Sequence, residues 1–267
     1  MGDVSTLHNG LTVAYDEVGS GVPCVLLHGF PHNRSLWAPQ TSALLEHGRC
    51  IAPDLRGFGE SGREGPYSME QYAEDVIALL DNLGIEKAVV GGLSMGGYIA
   101  FALWRAKPEL IRALVLADTR PGADAPDAKR KRLELIALAK DEGAGAVANA
   151  QITGMVGAST RAQNPALVEG LHQMLASAPV EGIVGALQAM MDRPDSTELL
   201  PTIDVPTLII VGEEDALTPV KESRAMHAAI AGSRLEVIPG AGHVSNLEKP
   251  AAFNHVLGEF LNALNYA

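Results

Sequence analysis

The segment from Val89 to Ala100, VVGGLSMGGYIA, limits the possible folds more than any other part of the chain. An apolar run with β-branched residues ends in two glycines, and a serine and two more glycines then lead into good helix formers. This order predicts a strand, a sharp turn with Ser94 at its apex, and a helix that begins near Met95. Glycine at Gly92 and Gly96 would let the strand and the helix approach without a clash of Cβ atoms.

The turn also fits the G-x-S-x-G pattern of a serine nucleophile. In such a turn, the free N–H groups at the start of the helix face the serine, where negative charge develops during acyl transfer. An ordinary glycine-rich strand–helix turn, common in α/β proteins, is the competing interpretation. The rest of the chain has to decide between them.

Strand and helix patterns alternate on both sides of this turn, and one helical block interrupts them. The alternation predicts a mainly parallel sheet with helices on both faces, and Asn9-Gly10 predicts an N-terminal hairpin. Residues 121–200 contain several helical stretches and no convincing strand. We therefore expect residues 1–120 and 201–267 to form an α/β core, and residues 121–200 to form a helical cap. Predicted strands lie at 24–27, 49–52, 88–90, 111–117, 207–211 and 234–238. Helices are predicted to begin at an N-cap near Ser35 and to lie at about 68–83, 129–141, 144–152, 165–177, 180–191 and 246–264.

An acid and a histidine follow the last two predicted strands. Asp215 comes directly after the strand at 207–211, and His243 follows the strand at 234–238. The carboxyl ends of parallel strands lie at the same edge of a sheet, so both residues should lie on the same side as Ser94. A serine hydroxyl needs a base, and the base needs an orienting partner. The order Ser94, Asp215, His243 is the one expected for a hydrolase triad on this type of sheet.

Other polar residues compete for these roles. Glu213 and Glu214 are interpreted as solvated loop acids, although either could replace Asp215 if the loop register differs. Asp118, at the end of an earlier strand, is a further alternative for the triad acid. His28 is expected to brace the loop after the first parallel strand by hydrogen bonding, and Arg56 to make structural hydrogen bonds. The run from Lys129 to Arg132 is interpreted as a solvated helix face rather than an anion site. The remaining histidines outside the pocket are expected to be structural or on the surface: His8, His47, His172, His227 and His255.

Five segments in this order resemble the α/β-hydrolase superfamily over essentially the whole chain: LLHGFPHNRSLW (26–37), DLRGFGES (54–61), GLSMGG (92–97), VGEEDALTP (211–219) and GAGHVSNLEKP (240–250). The resemblance implies a twisted, mostly parallel sheet of about eight strands, with a helical cap inserted after the sixth strand. It implies that Ser94 is the nucleophile, Asp215 the acid and His243 the base. It also implies an oxyanion hole formed by the backbone N–H groups of Phe30 and Met95, and no metal or organic cofactor.

A serine nucleophile points to acyl transfer and away from the epoxide hydrolases and dehalogenases, which use an aspartate. The chain is similar to small carboxylesterases and 3-oxoadipate enol-lactonases, although Trp37 and Trp104 lie in the predicted core rather than in the cap, where enol-lactonases carry a tryptophan. We expect a serine carboxylesterase acting on a small ester. The alternatives are a lactonase, a C–C bond hydrolase of ring-cleavage products, a perhydrolase, and a ligand receptor with the same fold.

Residues His32, Met155, Met174, Met190 and Met191 are expected to line the substrate pocket, with core packing as the competing interpretation. Cys24 and Cys50 lie in predicted strands and are expected to be buried free thiols.

Composition narrows the range of partners. The formal net charge of −12 argues against binding to nucleic acid or to anionic membranes. No run of 18 apolar residues suggests a membrane span, and the N-terminus lacks a signal-peptide pattern, so a cytoplasmic location is expected. A small-molecule ester or lactone is the expected partner. Both a monomer and a homo-oligomer are compatible with the sequence.

Overall fold

An eight-stranded sheet runs through the centre of the structure, a computed structural model that describes residues 2–7, 10–44 and 48–265. The strands lie in the order β1-β2-β4-β3-β5-β6-β7-β8. The first two pairs, β1 with β2 and β2 with β4, are antiparallel, and the remaining pairs are parallel. The strands are β1 (Asp3–Thr6), β2 (Thr12–Val18), β3 (Pro23–Leu27), β4 (Arg49–Pro53), β5 (Ala88–Leu93), β6 (Ile111–Ala117), β7 (Thr207–Gly212) and β8 (Arg234–Ile238).

Helices cover both faces of this sheet and also form the block between β6 and β7. The α-helices are α1 (Ala38–Ala43), α2 (Met69–Asn82), α3 (Met95–Ala106), α4 (Pro126–Glu142), α5 (Ala144–Met155), α6 (Ala158–Gln163), α7 (Pro165–Ala176), α8 (Val180–Asp192), α9 (Val220–Ala229), α10 (Ser245–Glu248) and α11 (Pro250–Asn265). Short 3₁₀ helices lie at Arg34–Trp37, Pro108–Leu110 and Thr197–Thr202. The mostly parallel sheet of eight strands confirms the predicted fold class.

The two faces of the sheet carry separate apolar cores, because successive side chains of a strand point to opposite sides. In β3, Val25 and Leu27 pack with α2 and α3, whereas Cys24 and Leu26 pack on the face that carries α11. On that second face Trp37 lies against Phe253, with ring centroids 6.1 Å apart. Every residue of β5 is buried. A strand covered on both faces is continuously apolar, and this explains the run that precedes Ser94.

Both cysteines are buried and free, as predicted. Cys24 and Cys50 are register partners in the parallel pair formed by β3 and β4. Burial raises the pKa of Cys50 to about 12 and that of Cys24 well above its usual value, so both thiols stay protonated at neutral pH.

Several local features differ from the sequence-based predictions. Asn33, not Ser35, caps the first helical turn, since its side chain accepts a hydrogen bond from the Ser35 amide. The closing helix, predicted from residue 246 to 264, is divided into α10 and α11 at Pro250, which has no N–H to donate. The N-terminal hairpin is present as the β1–β2 pair, but Asn9, His8 and His47 lie outside the described residues.

Five helices, α4 to α8, lie within the segment expected to form the cap. Helix α4 packs on α8 and α5 packs on α7. The sequence patterns predicted four of these helices and missed α6, which has six residues and too few turns to show a periodic apolar face. Among the described residues, no single helix is long and apolar enough to cross a membrane. Only α7 and α8 taken together pass that test, and they are bent by 93°.

Candidate active site

Ser94 occupies a strained turn between β5 and α3. Its φ of 54° and ψ of −111° lie outside the conformations that residues with a Cβ prefer, at a cost of roughly 1–3 kcal/mol. Two glycines make the turn possible. A Cβ on Gly92 would lie 2.2 Å from the carbonyl oxygen of Gly96, and a Cβ on Gly96 would lie 2.1 Å from that of Leu27. The close approach predicted from the sequence is therefore present.

Neighbouring strands hold this turn in place. The Ser94 amide donates to the carbonyl oxygen of Ala117 at 2.9 Å, and the Thr119 hydroxyl donates to the carbonyl oxygen of Ser94 at 2.7 Å. Both partners lie at or just after the end of β6. These two hydrogen bonds to the end of β6 thus hold Ser94 in its strained backbone conformation.

His243 and Asp215 form a buried hydrogen-bonded pair at the same end of the sheet. Nδ1 of His243 lies 2.9 Å from Oδ2 of Asp215. The other Asp215 oxygen accepts from the amides of Leu217 and Thr218 at 2.8 and 2.9 Å, and the Thr218 hydroxyl donates to Oδ2 at 2.6 Å. With the carboxylate held in this way, Nδ1 of the ring carries the proton and Nε2 is left free to act as a base.

The charges of this pair shift both pKa values. Burial alone would raise the pKa of Asp215, but the charge of His243 and hydrogen bonds from His243 and Thr218 lower it to about 2. Burial alone would lower the pKa of His243, but the Asp215 charge and hydrogen bond outweigh it and raise that pKa above its usual value. Asp118 and Glu248 add to this increase.

Asp118, the alternative triad acid, is fully buried but faces other partners. Its Oδ1 accepts from the Gly212 amide at 2.8 Å and its Oδ2 accepts from the Ser245 hydroxyl at 2.5 Å. Burial and the nearby Asp215 charge raise its pKa well above the usual value. Asp118 therefore ties the end of β6 to the end of β7 and the start of α10, whereas Asp215 accepts the hydrogen bond from His243.

The loop acids beside Asp215 bind backbone rather than solvent alone. Glu213 accepts from the Gly240 amide at 3.1 Å, and Glu214 accepts from the Ser159 amide at 2.9 Å. Glu214 also accepts from the Ser159 hydroxyl. The interpretation of Glu214 as a purely solvated acid is therefore wrong, because its carboxylate joins the loop after β7 to the start of α6.

The loop after β3 lies beside the turn that holds Ser94. Phe30 borders the cavity at Ser94, and Met95 is the first residue of α3, where helix N–H groups have no acceptor within the helix. Nδ1 of His28 lies 2.8 Å from the carbonyl oxygen of Gly29, and Nε2 accepts from the Leu55 amide at 3.0 Å. His28 thus braces this loop as predicted, and burial lowers its pKa.

A cavity of about 470 Å³ opens over Ser94 and His243. Met155 and Met190 lie in its wall, as predicted. His32, Met174 and Met191 are not among the described residues that line this cavity, so the prediction for these three is wrong.

The excluded side chains have other environments. His32 is fully buried with no hydrogen-bond partner for either ring nitrogen within the described chain, and burial lowers its pKa to about 3. Met174 packs with the apolar core on the α11 face, and Met191 is 5% exposed and belongs to the buried core. Core packing, the competing interpretation, accounts for these two methionines.

Most of the cavity wall comes from residues that the sequence did not single out as pocket residues. Tyr98 lies one helical turn after Ser94 on α3, so the i, i+4 spacing could have identified it. Arg120, Lys131 and Arg132 contribute cations, and Leu217 and Thr218 come from the loop that carries Asp215. The prediction of a solvated face for residues 129–132 holds for Lys129 and Arg130, but Arg132 is half-buried and bonded to Asp124.

The other polar residues lie where the sequence predicted. Arg56 forms a buried ion pair with Asp75, at 2.6 and 2.7 Å, which is a structural role. His227 and His255 are exposed, and His172 is half-buried and hydrogen-bonded to Asn149.

Comparisons with known proteins agree with this architecture. A family model described as the alpha/beta hydrolase fold matches residues 22–250. The 3-oxoadipate enol-lactonase 2 of Acinetobacter baylyi is 32% identical over 234 residues, which cover 87% of this chain and 86% of that protein.

Solved structures give the same result. A thermophilic esterase from Thermogutta terrifontis, solved with malate bound, superposes with a TM-score of 0.95 at 40% identity over 99% of both chains. The enol-lactonase from Burkholderia xenovorans superposes with a TM-score of 0.89 at 31% identity, over 97% of this chain and 99% of that one. Because the family model matches most of this chain, and because a relative that covers 87% of the chain is 32% identical to it, the chain belongs to the alpha/beta-hydrolase fold family.

Proposed function

We propose that this protein is a serine hydrolase that cleaves small carboxylic esters through an acyl-enzyme intermediate, without a metal or organic cofactor. One observation carries the proposal: the strained Ser94 borders the same cavity as His243, which is hydrogen-bonded to Asp215 behind it. A nucleophile, a base and a group that orients the base are the parts that acyl transfer requires. The cavity volume of about 470 Å³ suits a small substrate.

The chemistry follows from these positions. Nε2 of His243 takes the Ser94 hydroxyl proton as Oγ attacks the ester carbonyl, and Asp215 stabilises the imidazolium that forms. The backbone N–H groups of Phe30 and Met95 would donate hydrogen bonds to the former carbonyl oxygen and so stabilise its negative charge. The C–O bond to the alcohol then breaks, and the alcohol leaves with the proton from His243. In the second half, water loses a proton to His243 and attacks the acyl carbonyl. The bond between the acyl carbon and Ser94 Oγ then breaks, the acid leaves, and His243 returns the proton to Oγ.

The second candidate function is lactone hydrolysis by the same steps. Two relatives named as enol-lactonases favour it, and the esterase neighbour at 40% identity favours the ester. In a lactone the leaving hydroxyl stays joined to the acyl group, so the product is a single hydroxy or keto acid. The C–C hydrolase, the perhydrolase and the ligand receptor stay predictions that a substrate panel tests.

The test is steady-state hydrolysis of p-nitrophenyl esters from acetate to decanoate, with a set of γ- and δ-lactones beside them. We expect turnover that requires Ser94 and is fastest for short chains. Ser94→Ala is the control for non-enzymatic and contaminating hydrolysis. A stoichiometric burst without steady turnover would favour the receptor, and activity retained in Ser94→Ala would contradict the proposal.

A further inference from the structure

We propose that the substrate carries a carboxylate, which a cationic wall of the cavity binds. The cationic wall consists of Arg120, Lys131 and Arg132, all of which border the cavity that contains Ser94. This inference rests on the proposed function and adds a substrate class to it. It also names residues that determine specificity on the side of the cavity formed by α4 and the loop before it.

The wall rests on one buried carboxylate that is shared by three guanidinium groups. Asp124 accepts from Arg120 and from Arg193, each at 2.9 Å, and also from Arg132. The Asp124 side chain is 0% exposed, and Arg193 is also buried. Three positive charges surround this one negative charge, and even with the exposed Asp195, whose charge also acts on Arg193, one positive charge is left in excess. In a chain of net charge −12, this local excess is a distinct feature of the cavity.

Tyr98 links this charge cluster to the nucleophile. It lies in the cavity wall one helical turn after Ser94, and Cζ of Arg193 stacks 4.0 Å from its ring centroid. The guanidinium of Arg120 interacts with the Tyr98 hydroxyl. Arg193 thus stacks on the Tyr98 ring, while Arg120 borders the same cavity as Ser94.

The anion that this wall would bind is not already supplied by the protein. Asp127 also borders the cavity, but its carboxylate is 79% exposed and pairs with Arg130 at 2.9 Å. Nε of Arg120 is buried with no hydrogen-bond partner among the described residues. The Arg120 side chain is 27% exposed, and the fork of a guanidinium is suited to a planar carboxylate. The carboxylate of a substrate would neutralise positive charge of the arginines that Asp124 alone does not neutralise.

The experiment compares esters that differ in one charge. Mono-p-nitrophenyl glutarate against p-nitrophenyl pentanoate places the carboxylate on the acyl side. The anion of 4-acetoxybenzoic acid against its methyl ester places it on the alcohol side. We expect kcat/KM to favour the acid in at least one pair. Raising the salt concentration should reduce that preference, because it screens the wall.

Variants then assign the preference to the wall. Arg120→Gln should reduce the acid-to-neutral ratio of kcat/KM about tenfold or more, and Lys131→Gln by about threefold. Lys129→Gln removes the same charge from the exposed face of the same helix and should leave the ratio unchanged. If Arg120→Gln does not fold, Lys131→Gln against Lys129→Gln gives the same comparison. A ratio that stays constant in both wall variants would overturn the inference.

Binding of glutarate by calorimetry separates this inference from the proposed function. Glutarate should bind wild type more tightly than Lys131→Gln and as tightly to Lys129→Gln as to wild type. If glutarate binds in this way but no ester is hydrolysed, the proposed function is wrong and the anion site remains. If neutral esters are hydrolysed and glutarate binding does not depend on Lys131, the anion site is wrong.

A separate observation supports a second inference: we infer that Glu248 is a positioning residue that holds the His243 loop against the start of α6. Oε1 of Glu248 accepts from the Gly242 amide and Oε2 accepts from the Gly157 amide, both at 2.9 Å. The His243 amide in turn donates to the carbonyl oxygen of Met155 at 3.0 Å. One buried carboxylate thus joins the residue before His243 to the segment between α5 and α6.

The backbones at Gly157 and Gly242 are too close to leave room for a Cβ at either position. A Cβ on Gly242 would lie 2.2 Å from the Gly157 nitrogen, and one on Gly157 would lie 2.9 Å from the Gly242 nitrogen. Both amides are buried donors that need an acceptor, and Glu248 supplies one oxygen to each. Movement of this segment would therefore move His243.

Glu248→Gln tests this role, because its amide group would present an N–H to one of the two backbone donors. We expect kcat to fall about tenfold or more with little change in KM. The acidic limb of the pH profile, where kcat/KM falls as His243 becomes protonated, should also move to lower pH. The variant removes the Glu248 charge, which raises the pKa of His243. The other ionisable groups that face this ring, Asp215, Asp118 and His32, stay unchanged.

Glu214→Gln is the matched control, because Glu214 binds Ser159 in the same segment without contacting Gly242. It should leave the acidic limb in place. Glu248→Asp, which keeps the charge but shortens the reach, should lower kcat and leave the limb near that of wild type. A Glu248→Gln protein that only melts at a lower temperature, with kcat and the limb unchanged, would contradict the positioning role.

Discussion

Asp215 Oδ2 and His243 Nδ1 lie 2.9 Å apart, and the remaining Asp215 acceptor sites are filled by Leu217 and Thr218. The carboxylate is therefore fixed in the plane in which it can orient the ring. Asp118, the other buried acid at this edge, is bonded to Gly212 and Ser245 instead. The two acids differ in their partners, so their substitutions should differ in effect.

Asp215→Asn should lower kcat by roughly four orders of magnitude, because the amide favours the wrong tautomer of His243, as in triads elsewhere. Asp118→Asn should cost far less, since an amide oxygen can still accept one of the two hydrogen bonds. Steady-state kinetics on one ester compare the two variants directly. A larger loss in Asp118→Asn would identify Asp118 as the triad acid.

Ser94→Ala should abolish turnover with little change in Tm, because alanine keeps the strained backbone and removes only the hydroxyl. Ser94→Gly should also be inactive but more stable, since glycine tolerates a φ of 54°. Removing the backbone strain should raise the free energy of unfolding by about 1 kcal/mol, after the entropy cost of glycine is subtracted. This corresponds to a Tm about 2–4 °C above that of Ser94→Ala. Calorimetry of the two variants checks it, and equal Tm values would show that the turn is not strained.

Activity should fall as pH decreases through the pKa of His243, which lies above 6.5 because of Asp215. The raised pKa means that this histidine stabilises the fold fully below pH 6.5, and that this contribution is lost as pH rises through its folded pKa. Asp215, with a pKa of about 2, contributes stability above its ordinary value of 3.8 that is lost as pH falls toward 2. A pH–rate profile of kcat/KM measures the first effect, and an acidic limb below 6.5 would contradict it.

Arg56→Ala should destabilise the protein by about 3–5 kcal/mol, because it leaves the buried carboxylate of Asp75 without its cation. Arg130→Ala is the matched control: its pair with Asp127 is exposed and its loss should cost under about 1 kcal/mol. Urea unfolding of both variants measures the difference. Similar midpoints would show that the buried pair contributes no more than the exposed one.

The sequence predicts those parts of the site that depend on local backbone geometry. The turn at Ser94 follows from glycine spacing within six residues, and Asp215 and His243 are placed by the ends of two apolar strands. These elements need no knowledge of distant contacts. Their positions at one edge follow from the parallel direction of the strands.

The cavity wall could not be predicted in the same way, because tertiary packing sets which face of each cap helix is turned inward. Met190 and Met191 are adjacent in α8, yet of these two residues Met190 borders the cavity and Met191 does not. The charge cluster has no local signature either, since Arg193 joins Asp124 across 69 positions of the chain. His32 follows a motif that points toward the site, but its ring is buried close to His28 and His243 and does not border the cavity.

The contact of Gly157 with Gly242 has a consequence for how enzymes of this design can change substrate. The helices α4, α7 and α8 can be exchanged to reshape the pocket, whereas Met155, the last residue of α5, accepts a hydrogen bond from the His243 amide. The short segment 155–159 cannot be exchanged, since any side chain at Gly157 displaces the loop that carries the base. A cap transplanted from a relative should therefore be joined outside this segment, and a library of new specificities should leave it intact.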